Sequence, residues 1–310
     1  ALKCFFTRGF DVIHACNPPD LIYLVAKPFK LFGKKFVFDH HDINPELYIA
    51  KYNKKDFFYK LMLFFEKRTF KCAGVSIATN NSYRDIAIQR GGKNPEDVFV
   101  VRSGPSLKRL KIIPPVNELK KGRKYMVGYV GVIGKQEGLN YLVDAADYII
   151  NVKKRKDVHF ACVGGGTELS NIKQYVKEKC LEDYFTFTGR VPDHVLLEYL
   201  NTADVCVNPD EYNEMNDKST MNKVMEYMSL GKPIVQFDLT EGKYSAGDSS
   251  LYAKRNDYID MAEKILMLLD DEELRKKMGE IGRKRIENEL NWEIEKYNLI
   301  NAYKKVFFDK

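Results

Sequence analysis

The chain has 310 residues, of which 45% are hydrophobic and 30% charged, and this balance excludes an intrinsically disordered or collagen-like protein. The length predicts about two domains. The formal net charge is +7 at pH 7, and no apolar run approaches the roughly 18 residues of a membrane helix, so no transmembrane segment is predicted.

The positive charge is concentrated in the first part of the chain. Residues 1–120 carry 21 Lys and Arg against 11 Asp and Glu, whereas residues 121–310 carry 29 against 32. A basic part favours an anionic partner. We expect an anionic membrane surface and no nucleic acid, because the chain has no helix-turn-helix, RRM or zinc-finger signature.

The cysteines and the start of the chain predict a cytoplasmic protein, which could be peripheral on the inner face of the cell membrane. The six cysteines are scattered and form no CxxC pair, so we expect free, mostly buried thiols in place of disulfides or a zinc site. The opening sequence ALKCFFTRGFDVIHA lacks the ordered regions of a signal peptide.

In the first part of the chain, short apolar strands alternate with helices. A helix runs through Leu21–Phe29, an aromatic and basic helix covers residues 54–71, and Asn81 or Ser82 is expected to cap a third helix. The basic, proline-containing stretch 106–124 contains the predicted domain boundary. Strands are predicted over Phe10–Ala15, Lys34–Asp42, Gly74–Asn80 and Val98–Gly104.

A second series of strands and helices follows and ends in a charged helical region, 257–288, and one more amphipathic helix. Its strands are Tyr125–Gly131, Val158–Gly166 and the segments FTFTGRV, DVCVNPD and PIVQFD. Such alternation predicts an α/β fold of two Rossmann-like parallel-sheet domains facing a cleft. We place them at 1–115 and 116–290, with 291–310 as a C-terminal helix packing back toward the first domain.

Ligands of open parallel sheets bind at the carboxyl ends of the strands, and the helix near residue 220 lies beyond such an end. Ser219 or Thr220 is the expected N-cap, and Asn222, Lys223 and Glu226 follow on one polar stripe. A free helix N-terminus suits pyrophosphate, and the Glu226 carboxylate one turn later suits ribose hydroxyls. Periodicity alone favours the alternative, a capped amphipathic helix with a solvated face.

No metal site is predicted. His40 and His41 lie between two aspartates, but adjacent strand residues point to opposite faces of a sheet. The acidic loop 210–217 could hold Mg²⁺, although such runs are more often solvated. Gly128, Gly131 and Gly134 are spaced G-x-x-G-x-x-G, which is not the G-x-G-x-x-G dinucleotide fingerprint. We therefore expect no cofactor.

The whole chain resembles the retaining family 4 glycosyltransferases of the GT-B fold, in particular the branch that builds bacterial O-antigen and capsular polysaccharides. Relative to that family, the first part of an N-terminal domain is expected to be missing. The resemblance rests on DVIHACNPPDLIYLVA, KKFVFDHHDINPELY, EKRTFKCAGVSIATNNSY, GYVGVIGKQEGLNYLVDAADYI, GGGTELSNI, FTGRVPDHVLLEYLNTADVCVNPD and NDKSTMNKVMEYMSLGKPIVQFDLTEGKYSAGD.

The resemblance implies metal-independent transfer, with retention, from a nucleotide-sugar to a saccharide or an undecaprenyl-diphosphate-linked acceptor. The donor is expected to be a UDP-sugar, with a hexosyl or N-acetylhexosaminyl group. The family has an acid where this chain has Lys218, and a basic pair where it has Val132 or Ile133 and Glu137. The implied nucleotide-binding residues are Gly131, Gly134, Lys135, Gly164, Arg190, Val191, Ser219, Thr220 and Glu226, and the implied catalytic residues are His41, Asp42 and Lys223, with Glu46 beside them.

Two other functions stay open at this point. One is a non-catalytic GT-B module that binds nucleotide or sugar, and the other is a sugar-nucleotide epimerase. The 54–71 helix also has two interpretations, a membrane-facing surface or a core helix. The core interpretation requires burial of Phe57, Phe58, Leu61, Phe64 and Phe65.

Overall fold

The computed structural model describes residues 1–308, which form two compact units. The N-terminal unit comprises Ala1–Ser103 and the helix that begins at Trp292, and the C-terminal unit comprises Gly104–Asn291. The strands are β1 (Val12–Cys16), β2 (Lys35–His40), β3 (Val75–Ala78), β4 (Val98–Val100), β5 (Tyr125–Val130), β6 (Val158–Val163), β7 (Phe185–Gly189), β8 (Val205–Asn208), β9 (Ile234–Phe237) and β10 (Ser250–Ala253).

The α-helices connect and cover these strands. They are α1 (Leu2–Thr7), α2 (Tyr23–Lys30), α3 (Asn44–Tyr52), α4 (Phe57–Cys72), α5 (Asn81–Gln89), α6 (Leu139–Asp147), α7 (Leu169–Glu178), α8 (Asp193–Thr202), α9 (Glu214–Lys218), α10 (Asn222–Ser229), α11 (Thr240–Ala246), α12 (Tyr258–Asp270), α13 (Glu272–Asn288) and α14 (Trp292–Phe308). The sequence predictions did not include α1, α3, α9, α11 or β10.

The N-terminal unit is built on a parallel sheet of order β1-β2-β3-β4. All four residues of β3 are buried, as expected for a parallel strand that is covered on both faces. Ala302 and Val306 of α14 pack with Val37 and Ile77 in one hydrophobic cluster. The C-terminal helix therefore covers the N-terminal sheet.

A buried charge cluster ties three helices of this unit together. The Arg90 guanidinium donates hydrogen bonds to the carboxylates of Glu46 in α3 and Glu66 in α4. Both carboxylates are buried, and losing one member of such a cluster typically costs several kcal/mol because a buried charge is left unpaired. Glu46, expected beside the catalytic residues, therefore acts as part of the scaffold.

The C-terminal unit contains a parallel sheet of order β10-β9-β8-β5-β6-β7. All six residues of β5 and all six of β6 are buried. Hydrophobic clusters cover both faces, one with α6 and α12 and the other with α10. The carboxyl ends of the central strands β5 and β6 carry the glycine loops described below.

The unit boundary falls between Ser103 and Gly104, earlier than the expected division after residue 115. The intervening segment packs on the C-terminal unit, because Leu110 is buried in its core and the Ile113 N–H donates to Asn201. A basic, proline-containing sequence resembles a linker in composition. In this structure the few apolar side chains of the segment are sufficient to pack it against the C-terminal unit.

Two local expectations are wrong. Asn80 caps α5, with its side chain accepting from the Tyr83 N–H, because the helix begins one residue earlier than expected. Of the six free cysteines, only Cys162 and Cys206 are buried. The other four lie outside the strands or at the exposed end of one. They are Cys4, Cys16, Cys72 and Cys180.

The aromatic helix α4 does not bury the side chains that a core helix requires. Phe57, Phe58 and Phe64 are 71%, 60% and 47% exposed, whereas the inward face carries Glu66 and Phe70, both 0% exposed. Leu61 and Phe65 are partly buried, so the face expected in the core interpretation is buried only in part. Among residues 1–308, no helix has the combination of length and hydrophobicity that crossing a membrane requires.

Candidate active site

The C-terminal unit has a pocket of about 650 Å³ at the carboxyl ends of β5 and β6, a volume in the range of small-molecule sites. Four of the predicted nucleotide-binding residues, Gly131, Gly164, Arg190 and Val191, are in its lining. Gly134 and Lys135 follow on the loop after β5 and do not belong to that lining. The complete lining is Arg109, Val130, Gly131, Val132, Val163, Gly164, Gly165, Arg190, Val191, Asp193 and Leu196.

Glycine is required in this pocket because two loops meet backbone to backbone. Gly164 has φ +134°, and a Cβ on it would lie 1.9 Å from the Gly131 carbonyl oxygen. The Gly131 N–H donates to Val163, and the Gly164 N–H donates to Gly189. These bonds hold the loops after β5, β6 and β7 together, so the pocket floor is preorganised.

Arg109 joins the pocket to the predicted ribose ligand Glu226. Its guanidinium donates to both carboxylate oxygens of Asp193, at 2.6 and 3.0 Å, and to Glu226 Oε1 at 3.1 Å. The hydrogen bond to Asp193, and then that to Glu226, raise the pKa of Arg109 well above its usual range. The sequence analysis missed Arg109 because it assigned the segment before residue 115 to the other domain.

The predicted cap of the nucleotide helix is wrong. The helix α10 begins at Asn222, and its N-cap Met221 makes no side-chain hydrogen bond to the first turn. Ser219 is the C-cap of α9, and its hydroxyl donates to the Met215 carbonyl. The polar run before α10 therefore folds as a separate short helix. The N-cap residue Met221 thus makes no side-chain hydrogen bond to the first-turn N–H groups of α10, and the N–H groups of a helix N-terminus favour an anion.

Lys223, in the first turn of α10, is paired with a buried carboxylate. Its Nζ lies 2.6 Å from Asp210 Oδ1 and 5.0 Å from the centroid of the Tyr129 ring. Burial raises the pKa of Asp210, although Lys223 opposes that effect. Burial also raises the pKa of Glu137, with Lys223 again opposing. A lysine shared by two acids offers less net positive charge to a pyrophosphate than an unpaired lysine.

The acidic loop does not gather its carboxylates around one point. Each of three acids has a cation as its partner, so the loop is stabilised without a metal ion. The pairs are Asp210 with Lys223, Glu214 with Lys218, and Asp217 with Arg255.

In the N-terminal unit, Asp39 lies between two histidines. Its Oδ2 is 3.1 Å from the Nε2 atoms of both His14 and His41, and the other ring nitrogen of His14 is 2.7 Å from the Tyr303 hydroxyl. Burial raises the pKa of Asp39, but the bonds from the histidines outweigh burial and hold it at about 2. The hydrogen bond to Asp39 raises the pKa of His41, and partial burial opposes that shift. His41 therefore stays protonated to a higher pH.

Strand alternation separates the two adjacent histidines as predicted. His40 is buried, with its Nε2 3.6 Å from Glu66 Oε1, whereas His41 is 44% exposed. Asp42 is exposed as well. His41, not His40, is thus available to a ligand.

Asn17 holds the backbone of the predicted catalytic residues. Its Oδ1 accepts from the N–H groups of His41 and Asp42 at 2.8 and 3.1 Å, and its Nδ2 donates to the Asp42 carbonyl at 2.6 Å. The sequence analysis missed the roles of Asn17, His14 and Asp39. The available signal was the alternation of His14 with Cys16 and of Asp39 with His41, which places all four on one face of neighbouring strands.

The comparisons with known proteins single out the part of the chain that contains the pocket. Residues 124–271 match the family described as "Glycosyl transferases group 1", and this segment contains all the pocket residues except Arg109. The capsular polysaccharide biosynthesis glycosyltransferase CapM of Staphylococcus aureus is 25% identical over 257 residues, which are 77% of this chain and 64% of CapM. The chain thus spans less than two thirds of CapM.

Solved structures resemble nearly the whole chain. Sucrose-phosphate synthase from Thermosynechococcus elongatus superposes with a TM-score of 0.80 at 21% identity, covering 99% of this chain and 76% of that one. Anabaena HepE, solved in complex with UDP and glucose, superposes with a TM-score of 0.80 at 15% identity. The match covers 98% of this chain and 80% of the HepE chain. Two Rossmann-like parallel-sheet domains of the GT-B type confirm the predicted fold class.

Proposed function

We propose that the chain transfers a sugar, with retention at the anomeric carbon, from a UDP-sugar to a saccharide or lipid-linked saccharide. The observation that carries the proposal is the C-terminal pocket, with its preorganised glycine loops and the Glu226 carboxylate held through Arg109. The N-terminus of α10, where Glu226 lies one turn along, adds N–H groups. The match of residues 124–271 to the group 1 glycosyltransferases and the UDP bound to HepE support the proposal.

The pocket supplies a contact for each part of the donor. The backbone at Arg190 and Val191 borders the base, and the Glu226 carboxylate accepts hydrogen bonds from the ribose hydroxyls. The N–H groups of the first α10 turn bind the pyrophosphate with Lys223. Lys223 has to shift from Asp210 toward the phosphates, or share its ammonium between them, and this is a cost of donor binding specific to this chain.

The chemistry requires stabilisation of the departing diphosphate rather than a strong base. Preorganised N–H donors and a cation favour the charge that develops on the leaving oxygen, and orientation of the acceptor hydroxyl supplies most of the rest. We assign His41 to the transferred sugar. Since Asp39 raises the pKa of His41, the imidazolium keeps both N–H donors, and the one that does not bond Asp39 can donate to a sugar oxygen.

The acceptor proposal rests on the exposed aromatic face of α4. Phe57 and Phe58 are exposed at its start, and Lys54, Lys55 and Lys60 surround them in sequence. Exposed aromatic rings among lysines suit an anionic lipid surface, where a lipid-linked saccharide would be found. Sedimentation with vesicles that contain anionic lipid tests this part, and replacing both phenylalanines by serine should reduce the bound fraction.

A donor panel tests the activity. Incubation with UDP-sugars and an acceptor mixture should release UDP, and the product should keep the anomeric configuration of the donor. An epimerised nucleotide-sugar would indicate an epimerase instead. UDP binding without any turnover would favour a non-catalytic module, for which the Lys218 substitution and the Lys223–Asp210 pair are the observations in favour.

A further inference from the structure

We propose a zinc-binding site in the N-terminal unit, formed by the Cys16 thiolate, the Asp39 carboxylate and the His41 imidazole. One ligand atom from each residue lies within 4.8 Å of the others. Such a triangle requires only small side-chain shifts to bring all three atoms to a common ion. The proposal does not depend on the pocket of the C-terminal unit. Zinc on His41 and the imidazolium assigned to His41 above exclude each other, so the two roles belong to different states of the protein.

The sheet register brings the ligands together. Cys16, the last residue of β1, lies directly opposite Asp39 of β2. His41 is two residues beyond Asp39 and shares its face of the sheet, and its Nε2 is 3.1 Å from Asp39 Oδ2. The triangle is therefore set by backbone pairing and not by long, flexible side chains.

The donor types select the ion. A thiolate and an imidazole suit zinc and exclude Mg²⁺ and Ca²⁺, which prefer oxygen ligands. One thiolate, one carboxylate and one neutral imidazole balance the charge of Zn²⁺. Binding would release the Cys16 thiol proton and any proton on His41 Nε2. A fourth position would remain for water.

The surroundings match those of a metal ligand set. Asp39 Oδ1 is buried without a hydrogen-bond partner, which is a cost that metal coordination by the carboxylate would remove. His14 donates from Nε2 to Asp39 Oδ2, and its other ring nitrogen is hydrogen-bonded to the Tyr303 hydroxyl. This is the outer-shell arrangement that orients ligating carboxylates. Cys16 and His41 are exposed, so an ion can enter from solvent.

Cobalt substitution tests the site without requiring turnover. The protein, freed of metal with a chelator, is titrated with Co²⁺ and then with Zn²⁺. We expect a thiolate-to-cobalt charge-transfer band that zinc abolishes, and we expect Cys16→Ser to lack this band. Cys4→Ser is the matched control, because Cys4 is an exposed free cysteine of the same unit, and it should retain the band.

The variant His41→Gln provides a second test of the site if Cys16→Ser does not fold stably. His41→Gln should weaken Zn²⁺ binding more than about tenfold in a competition with a chelating dye, because a ligand is lost. Absence of the band in the wild-type protein, its persistence in Cys16→Ser, or an unchanged zinc affinity in His41→Gln would overturn the proposal. These results hold whether or not the proposed transferase activity is found.

Discussion

The carboxylate of Glu226 offers the sharpest test of the donor site, through the substitution Glu226→Ala. The side chain is 21% exposed, and its Oε1 is held at 3.1 Å by Arg109, so the carboxylate is oriented before the nucleotide arrives. Hydrogen bonds to a charged acceptor contribute about 1.5–3 kcal/mol. Their loss corresponds to a weakening of UDP binding of about 10- to 150-fold.

The substitution Glu226→Ala should change the free energy of unfolding little. Arg109 keeps both of its hydrogen bonds to Asp193, and a partly exposed ion pair contributes about 0–1 kcal/mol. The free energy of unfolding should therefore fall by no more than about 1 kcal/mol. A large loss of both stability and affinity would show that Glu226 is structural.

Isothermal titration calorimetry with UDP measures the affinity, and Glu263→Ala is the matched control. Glu263 is another helical glutamate in an ion pair, with Lys153 at 2.6 Å, but its partner, unlike Arg109, does not line the pocket. The 2′,3′-dideoxyribose analogue of UDP adds a second comparison. It should bind the wild-type protein more weakly than UDP does, yet bind Glu226→Ala as UDP does. Equal UDP affinities of wild type and Glu226→Ala would refute the ribose assignment.

Four further outcomes are expected. His41→Ala should lower kcat by about 100-fold or more, the scale of one lost transition-state contact, with an unchanged Kd for UDP by calorimetry. Because Asp39 raises the pKa of His41, activity that requires the imidazolium is lost as pH rises through that pKa, and Asp39→Asn should move this loss to lower pH in a pH–rate profile. Gly164→Ala should abolish UDP binding while a folded circular dichroism spectrum is kept, since its Cβ would lie 1.9 Å from a carbonyl oxygen. Phe70→Ala, which empties a fully buried site, should cost about 3–5 kcal/mol in urea unfolding, whereas Phe64→Ala on the exposed face of α4 should cost far less.

Much of the fold could be predicted because parallel strands that are buried on both faces appear as short apolar runs. The apolar segments around β5 and β6 are examples, and every residue of these strands is buried. The strand β10 was missed because it has only four residues, Ser250–Ala253, which are too few to form a clear apolar run. The alternation of His40 and His41 was also predictable, since side chains along a strand follow a fixed period of two.

The sequence by itself determined which residues lie at the strand ends and therefore which ones are near ligands, because chain order and local periodicity carry that information. Only the tertiary structure decided their partners. Arg109 meets Glu226 across 117 positions of sequence, and His14 meets Tyr303 across 289. Such pairs depend on how loops and helices pack, and the pairing of Lys223 with Asp210 depends on a loop that folds into the extra helix α9. Local patterns contain no measure of these distances, so the electrostatics of the site follow from the packed chain alone.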